Sequence, residues 1–246
     1  MPTVHAEGDG YILKTAIGGT WATVRDSTTG TATSNKTKYH LAVAAYQITG
    51  FITIPSCTRT FIRFDSSGIT DSLSAATLNI YGYTTSTLGG DTVGDDEDFW
   101  VLKSNANFGL IGGEYFLNSG HYDGITGWDT SSPTTDGSGN GDQSDNVTLY
   151  SGMYDISGGW DTSGYNSITL TAQARADLVS LDTFVICIMS DDDLKDTPDN
   201  LSFGSVVKSM GMYFMNETGT SKDPYIDFTV ATEAVTHSAT FFGCNF

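Results

Sequence analysis

Positive charge is what this sequence has least of. Eleven Lys and Arg face 29 Asp and Glu across 246 residues, a formal net charge of −18. A surface of that sign repels nucleic-acid phosphates and anionic lipid headgroups, which argues against nucleic acid and the membrane surface as partners. Cysteine is nearly as scarce. Cys57, Cys187 and Cys244 are an odd number with no CxxC spacing, so neither a disulfide framework nor a zinc site is encoded. Cys187, inside the apolar run from Phe184 to Met189, reads as a small buried hydrophobe, and Cys57 and Cys244 read as free thiols. No run of about 18 apolar residues exists to span a bilayer. Residues 1–20 hold no basic stretch leading into an apolar one, so no cleaved signal peptide is expected.

Catalytic patterns are missing too. His5, His40, His121 and His237 form no HExxH or HxH pair, no Ser sits in a GxSxG elbow, and no Gly-rich phosphate loop precedes a Lys. The acids are so numerous that no one pair singles itself out as a glycosidase couple. The expectation is a protein that is not an enzyme.

What the chain does have is glycine, 28 of them, with many Ser and Thr and short apolar runs between turn signals. That is the composition of strands. Ala76, Leu78 and Ile80 alternate with Thr77, Asn79 and Tyr81, which predicts a strand with Leu78 and Ile80 in the core and Asn79 on the other face. Further strands are expected near Gly10–Lys14, His40–Tyr46, Phe51–Ile54, Thr60–Phe64, Ser167–Leu170, Thr183–Met189, Gly211–Met215 and Tyr225–Val230. One helix is expected, Thr171 to Leu181, with Thr171 as its cap and Ala174, Leu178 and Leu181 on one face. Residues 84–149, rich in Gly, Asp, Ser and Asn, read as a long loop insertion whose aromatic islands at Phe99–Trp100 and Tyr115–Phe116 pack in part, with a flexible tip at 131–141. The predicted architecture is all-β, a jelly-roll-like antiparallel β-sandwich with one short helix, as a single domain over 1–230 followed by a C-terminal arm, 231–246.

The segment RFDSSGI, a short spacer and AATLNIYGY, within Arg59 to Tyr83, resembles the "FDxSxI…SATLxLYG" core of DNRLRE-type β-sandwich domains of bacterial surface and phage-associated proteins. DGYILKTAIGGTWATVRDSTTGT, GGWDTSGYNSITL and GMYFMNETGTSKDPYIDFTV agree in the same order, so the resemblance covers most of the chain. It implies a jelly-roll-like, carbohydrate-binding-module-like sandwich used for adhesion or surface structure, and it carries no catalytic residues.

Three groups of residues are candidates for function. Gly127-Trp128-Asp129-Thr130-Ser131 recurs 32 residues later as Gly159-Trp160-Asp161-Thr162-Ser163. Either two similar turns each bring a Trp to the edge of the core, or Trp128 and Trp160, with Tyr122 and Tyr165, offer platforms to sugar rings. Asp95–Asp98 and Asp191, Asp192 and Asp193 are acid clusters of the kind hard cations favour; the second, directly after a strand, is the candidate for Ca²⁺, with solvated acids as the default and no other cofactor expected. Beyond the last strand stand Phe241, Phe242 and Phe246, each worth about 1.5–3 kcal/mol if covered, so the arm either folds back on its own sandwich or is an assembly contact with a neighbouring subunit.

Together these features predict a structural or decoration subunit of a virion (phage capsid, tail or fibre) or other extracellular assembly, contacting itself or the major shell protein. A virion component reconciles an extracellular composition with the missing export signal. The alternative is a carbohydrate-binding adhesion module that holds a particle to cell-surface glycan.

Overall fold

The computed structural model describes residues 1–41, 43–49, 52–88, 93–96, 98–129, 134–135, 141–156, 159–197, 199–200 and 206–232. Its strands are β1 (Thr3–Thr15), β2 (Thr31–Thr33), β3 (Lys38–His40), β4 (Val43–Thr49), β5 (Ile52–Asp65), β6 (Leu73–Leu88), β7 (Val93–Asp96), β8 (Phe99–Lys103) and β9 (Phe108–Ile111). They continue as β10 (Glu114–Leu117), β11 (Thr134–Thr135), β12 (Gly141–Asp142), β13 (Tyr165–Thr169), β14 (Thr183–Ser190), β15 (Asp199–Asn200), β16 (Val206–Tyr213) and β17 (Tyr225–Val230). Three helices accompany them: α1 (Trp21–Arg25), α2 (Ala172–Ser180) and α3 (Asp191–Lys195).

Pairing is antiparallel except for β15 on β4 and β7 on β16. The architecture is an all-β sandwich. In one layer β5 is flanked by β1, β4 and β14, and β14 by β8. In the other, β6 pairs with β13, β16 and β17. β1 joins the two, pairing through Thr3–His5 with β17 and from Ala6 onward with β5, and a bulge between Ala6 and Gly8 marks the change of partner.

Two apolar clusters follow from strand phase. Between the layers lie Ile62 and Phe64 of β5, Leu78 and Ile80 of β6, Phe184, Ile186 and Ile188 of β14, and Ile226 of β17. The reverse side of the β5–β14 layer carries Cys57, Phe61, Cys187 and Met189, covered by Trp21 and Val24 of α1, Tyr122, and Leu194 of α3. Burial on both faces explains why Phe184–Met189 is apolar without alternation. Cys187 is buried, as its setting predicts, and Cys57 is buried as a free thiol, whereas Cys244 lies outside the described residues.

Most expected strands are found, often longer than their sequence signal. The helix expected at Thr171–Leu181 is α2, with the Thr171 hydroxyl accepting from the Ala174 amide at 3.3 Å. It ends at Ser180, and Leu181 is half-buried in extended backbone instead of sharing the Ala174–Leu178 face. The 84–149 insertion is more regular than its composition suggests. Within it β8 pairs with β14 in the main sheet and buries Phe99 and Val101 between the layers, while β9 and β10 form a hairpin turned at Gly112–Gly113, both with positive φ. The tip at 131–141 lies almost wholly outside the described residues.

Candidate functional site

The aromatic and acidic residues singled out by sequence separate into three places. Tyr122, Trp128 and Asp193 meet around Arg59, which its phase in β5 sends to the reverse side of that layer. Arg59 is fully buried and grips the Asp193 carboxylate with two hydrogen bonds, Nε to Oδ2 at 2.6 Å and a terminal nitrogen to Oδ1 at 2.8 Å. It also donates to the carbonyls of Tyr122 at 2.9 Å and Arg25 at 3.1 Å, and its guanidinium lies 4.1 Å and 4.4 Å from the ring centres of Tyr122 and Trp128. Burial is the largest single influence and works against that charge, but the groups around it, Asp193 foremost, together more than offset it and hold Arg59 protonated. The Cys57 thiol donates to Asp193, and burial pushes its pKa well up, so it is no nucleophile. The cluster ties β5, α1, α3 and the 122–128 turn together from inside.

Two of the four proposed sugar platforms are therefore corrected. Tyr122 is completely covered, and Trp160 is 8% exposed, its indole N–H donating to the Gly211 carbonyl at 3.1 Å and its ring edge-on to Phe99 and Tyr154. Trp128 is half-buried against Arg59 and Arg25. The two GWDTS segments share a device: Gly127 and Gly159 both have positive φ, turning the chain so that the next residue points inward. One Trp closes each apolar cluster.

The three acids proposed for Ca²⁺ occupy the first turn of α3, capped by Ser190, and face three ways. Asp191 accepts from the Trp100 indole at 2.6 Å and from Lys195 at 2.8 Å. Asp192 accepts from the Thr197 hydroxyl at 3.2 Å, and Asp193 belongs to Arg59. Among the described residues no group of three or more His, Cys, Asp or Glu side chains converges as metal ligands do. The side chains of Asp95, Asp96 and Glu97 lie outside the described residues, as do Phe241, Phe242 and Phe246.

Tyr165, the fourth platform candidate, leads to a surface that sequence reasoning missed. It stands on the outer face of the β6 layer in a row of aromatic rings running His5, Tyr225, Tyr165, Tyr81, Tyr213 and Tyr83. Successive centroids are 5.6, 4.9, 5.1, 5.5 and 5.5 Å apart, and each tyrosine pair meets edge to face. The five tyrosines are half-buried, resting on the sheet with their outer sides reachable. The Tyr165 hydroxyl donates to the carbonyls of Ser221 and Asp223 at 3.0 and 3.2 Å, and its pKa is raised to about 12, chiefly by burial. Two cations cap the row: Lys38 Nζ lies 4.0 Å from the centre of Tyr83, and Lys222 Nζ lies 4.0 Å from that of Tyr213 while also reaching Glu217 at 3.4 Å. Asp223, at the His5 end, is buried with one carboxylate oxygen lacking a hydrogen-bond partner, and burial raises its pKa against the opposing pull of His5. The signal was present in NIYGY, GYNSI, GMYF and PYIDF, where each Tyr falls out of phase with the apolar residues.

Asp9 is the other buried acid of note. It accepts from the Met215 amide at 2.8 Å beside a cleft lined by Glu7, Ser34, Glu114 and Asn216, and burial raises its pKa to about 7.

Compared with protein-family models and with curated proteins, the chain matches none. Among the described residues no helix is long and apolar enough to cross a membrane.

Proposed function

We propose that this chain is a structural or decoration subunit of a virion or other extracellular assembly, a sandwich of the DNRLRE kind that works by contact and not by catalysis. The observation that carries the reading is the row of five tyrosines capped by Lys38 and Lys222 on an outer sheet face. Tyrosine is enriched where proteins meet, because it supplies a large, stiff, amphipathic contact area at little entropic cost. Among the described residues the apolar clusters close without these rings, which leaves the face to a neighbour. The charge balance agrees, since net repulsion keeps subunits apart until specific contacts form.

Sedimentation of the intact protein tests this. A subunit of an assembly forms a defined multimer as concentration rises, and a strict monomer at every concentration overturns the reading. The second reading, a glycan-binding adhesion module, draws on the same row of rings; retention of the monomer on immobilised polysaccharide is its mark.

A further inference from the structure

We infer that the occupant of the tyrosine face is a second copy of this chain, which brings part of its acidic surface against Lys38 and Lys222. This rests on the assembly reading above and names the surface that reading needs.

Ring geometry argues first for a protein occupant over a sugar chain. A polysaccharide stacks on flat aromatic faces laid out in one plane, and here every neighbouring pair of tyrosines is perpendicular, at interplanar angles of 76° to 81°. The outermost faces are also occupied, because an ammonium group already sits 4.0 Å above Tyr83 and another 4.0 Å above Tyr213. What the face offers instead is ring edges and two cations, a mosaic suited to interdigitating side chains.

Charge then selects which protein. Only 11 of the 246 residues are Lys or Arg, and two of them stand together on this row. The complementary surface is an acidic one, and with 29 Asp and Glu against 11 Lys and Arg each copy of the chain has acids to offer. Two tyrosine faces meeting with their lysine ends together would set lysine against lysine, so the lysine end of one copy meets an acidic surface of the next; where that surface lies outside the row, the contact is head to tail. A heterologous contact of that kind closes into a ring or propagates as a filament, the geometry of a repeating assembly. Glu217, 3.4 Å from Lys222, offsets one of the two charges and leaves that of Lys38.

The test is sedimentation equilibrium on the full chain at low salt and at about 1 M salt, where the screening length falls to about 3 Å. It compares the unaltered protein with the Lys38→Glu/Lys222→Glu double variant and with Tyr213→Ser, each checked for an unchanged circular dichroism melt. The expected result is a multimer whose dissociation constant is weakened about tenfold or more by the charge reversal and also by Tyr213→Ser, with the effect of the charge reversal smaller at high salt. Because Lys38 is exposed, its reversal tests the surface without touching the core. A multimer of undiminished affinity in both variants overturns this inference and leaves the assembly reading standing. A monomer under all conditions overturns both. Binding of immobilised polysaccharide that vanishes in Tyr213→Ser also overturns it, and gives the face to a glycan.

Discussion

Arg59 and Asp193 show how far a residue's role depends on what sequence cannot display. Asp193 reads as the third member of an exposed acidic run, yet it is fully buried as the partner of the one fully buried arginine among the described residues. Removing either side of such a pair leaves an uncompensated charge in the interior, so Asp193→Asn should destabilise the fold by about 3–5 kcal/mol in denaturant unfolding, and Arg59→Leu with Asp193→Leu together should cost less than the sum of the two. Asn79 carries the opposite lesson. Its phase in β6 predicts the outer face, where it is found, but it is only 3% exposed, lying between Ser167 and Tyr225 of the neighbouring strands, and it accepts from the Ser167 hydroxyl at 2.7 Å. Asn79→Ala should therefore cost about 1 kcal/mol, against about 2–5 kcal/mol for Leu78→Ala on the core face. Asp9 gives a pH signature. Its pKa is 3.8 unfolded and about 7 folded, so its contribution is most favourable below pH 3.8 and is lost as pH rises through 7. Asp9→Asn keeps an acceptor for Met215 and removes that loss. The difference in stability between variant and parent should rise between pH 4 and pH 8, approaching about 4 kcal/mol; a difference flat in pH would show that Asp9 titrates normally.

At the scale of elements, legibility tracks length and one-sided burial. β6 was readable because Ala76, Leu78 and Ile80 go to one side, and β14 because eight residues of apolar and β-branched chain leave few alternatives. β8 was missed because Phe99–Lys103 is five residues with both faces engaged, Phe99 and Val101 in one cluster and Leu102 in the other, so no alternation survives in a window dominated by Gly and Asp. α1 and α3 are five residues each, too short for a 3.6-residue period to show, and only their caps, Thr20 and Ser190, mark them. The acid cluster was misjudged for the same reason, since a one-turn helix points consecutive side chains in different directions. Its partners are Lys195, Trp100, Thr197 and Arg59, all within the chain. Excess chelator should accordingly leave the melting temperature unchanged, and a fall would mean that a cation binds there after all. For α2, Thr171→Ala should cost about 1 kcal/mol by removing the cap bond to Ala174.

For the molecule as a whole, the described strands of both layers run from Thr3 to Val230, and among the described residues the last tie beyond them is the Ala231 amide donating to the Ser72 carbonyl at 2.7 Å. Among the described residues, both apolar clusters close with residues up to Phe228. Sequence places the end of strand periodicity near Val230 and expects an arm to follow, and that arm's aromatics lie outside the described residues. Removing residues 236–246 should leave the melting temperature within a few degrees of the parent, because none of the described strand or cluster residues is lost. In the assembly reading it should also reduce multimer formation, since Phe241, Phe242 and Phe246 add apolar contact to a neighbour that the tyrosine face alone would hold by edges and charge. The two effects are measured on one sample, by a thermal melt and by sedimentation. A truncated protein that unfolds while the intact chain is a monomer would assign the arm to its own core, and the acidic surface would then serve only to keep the sandwich soluble.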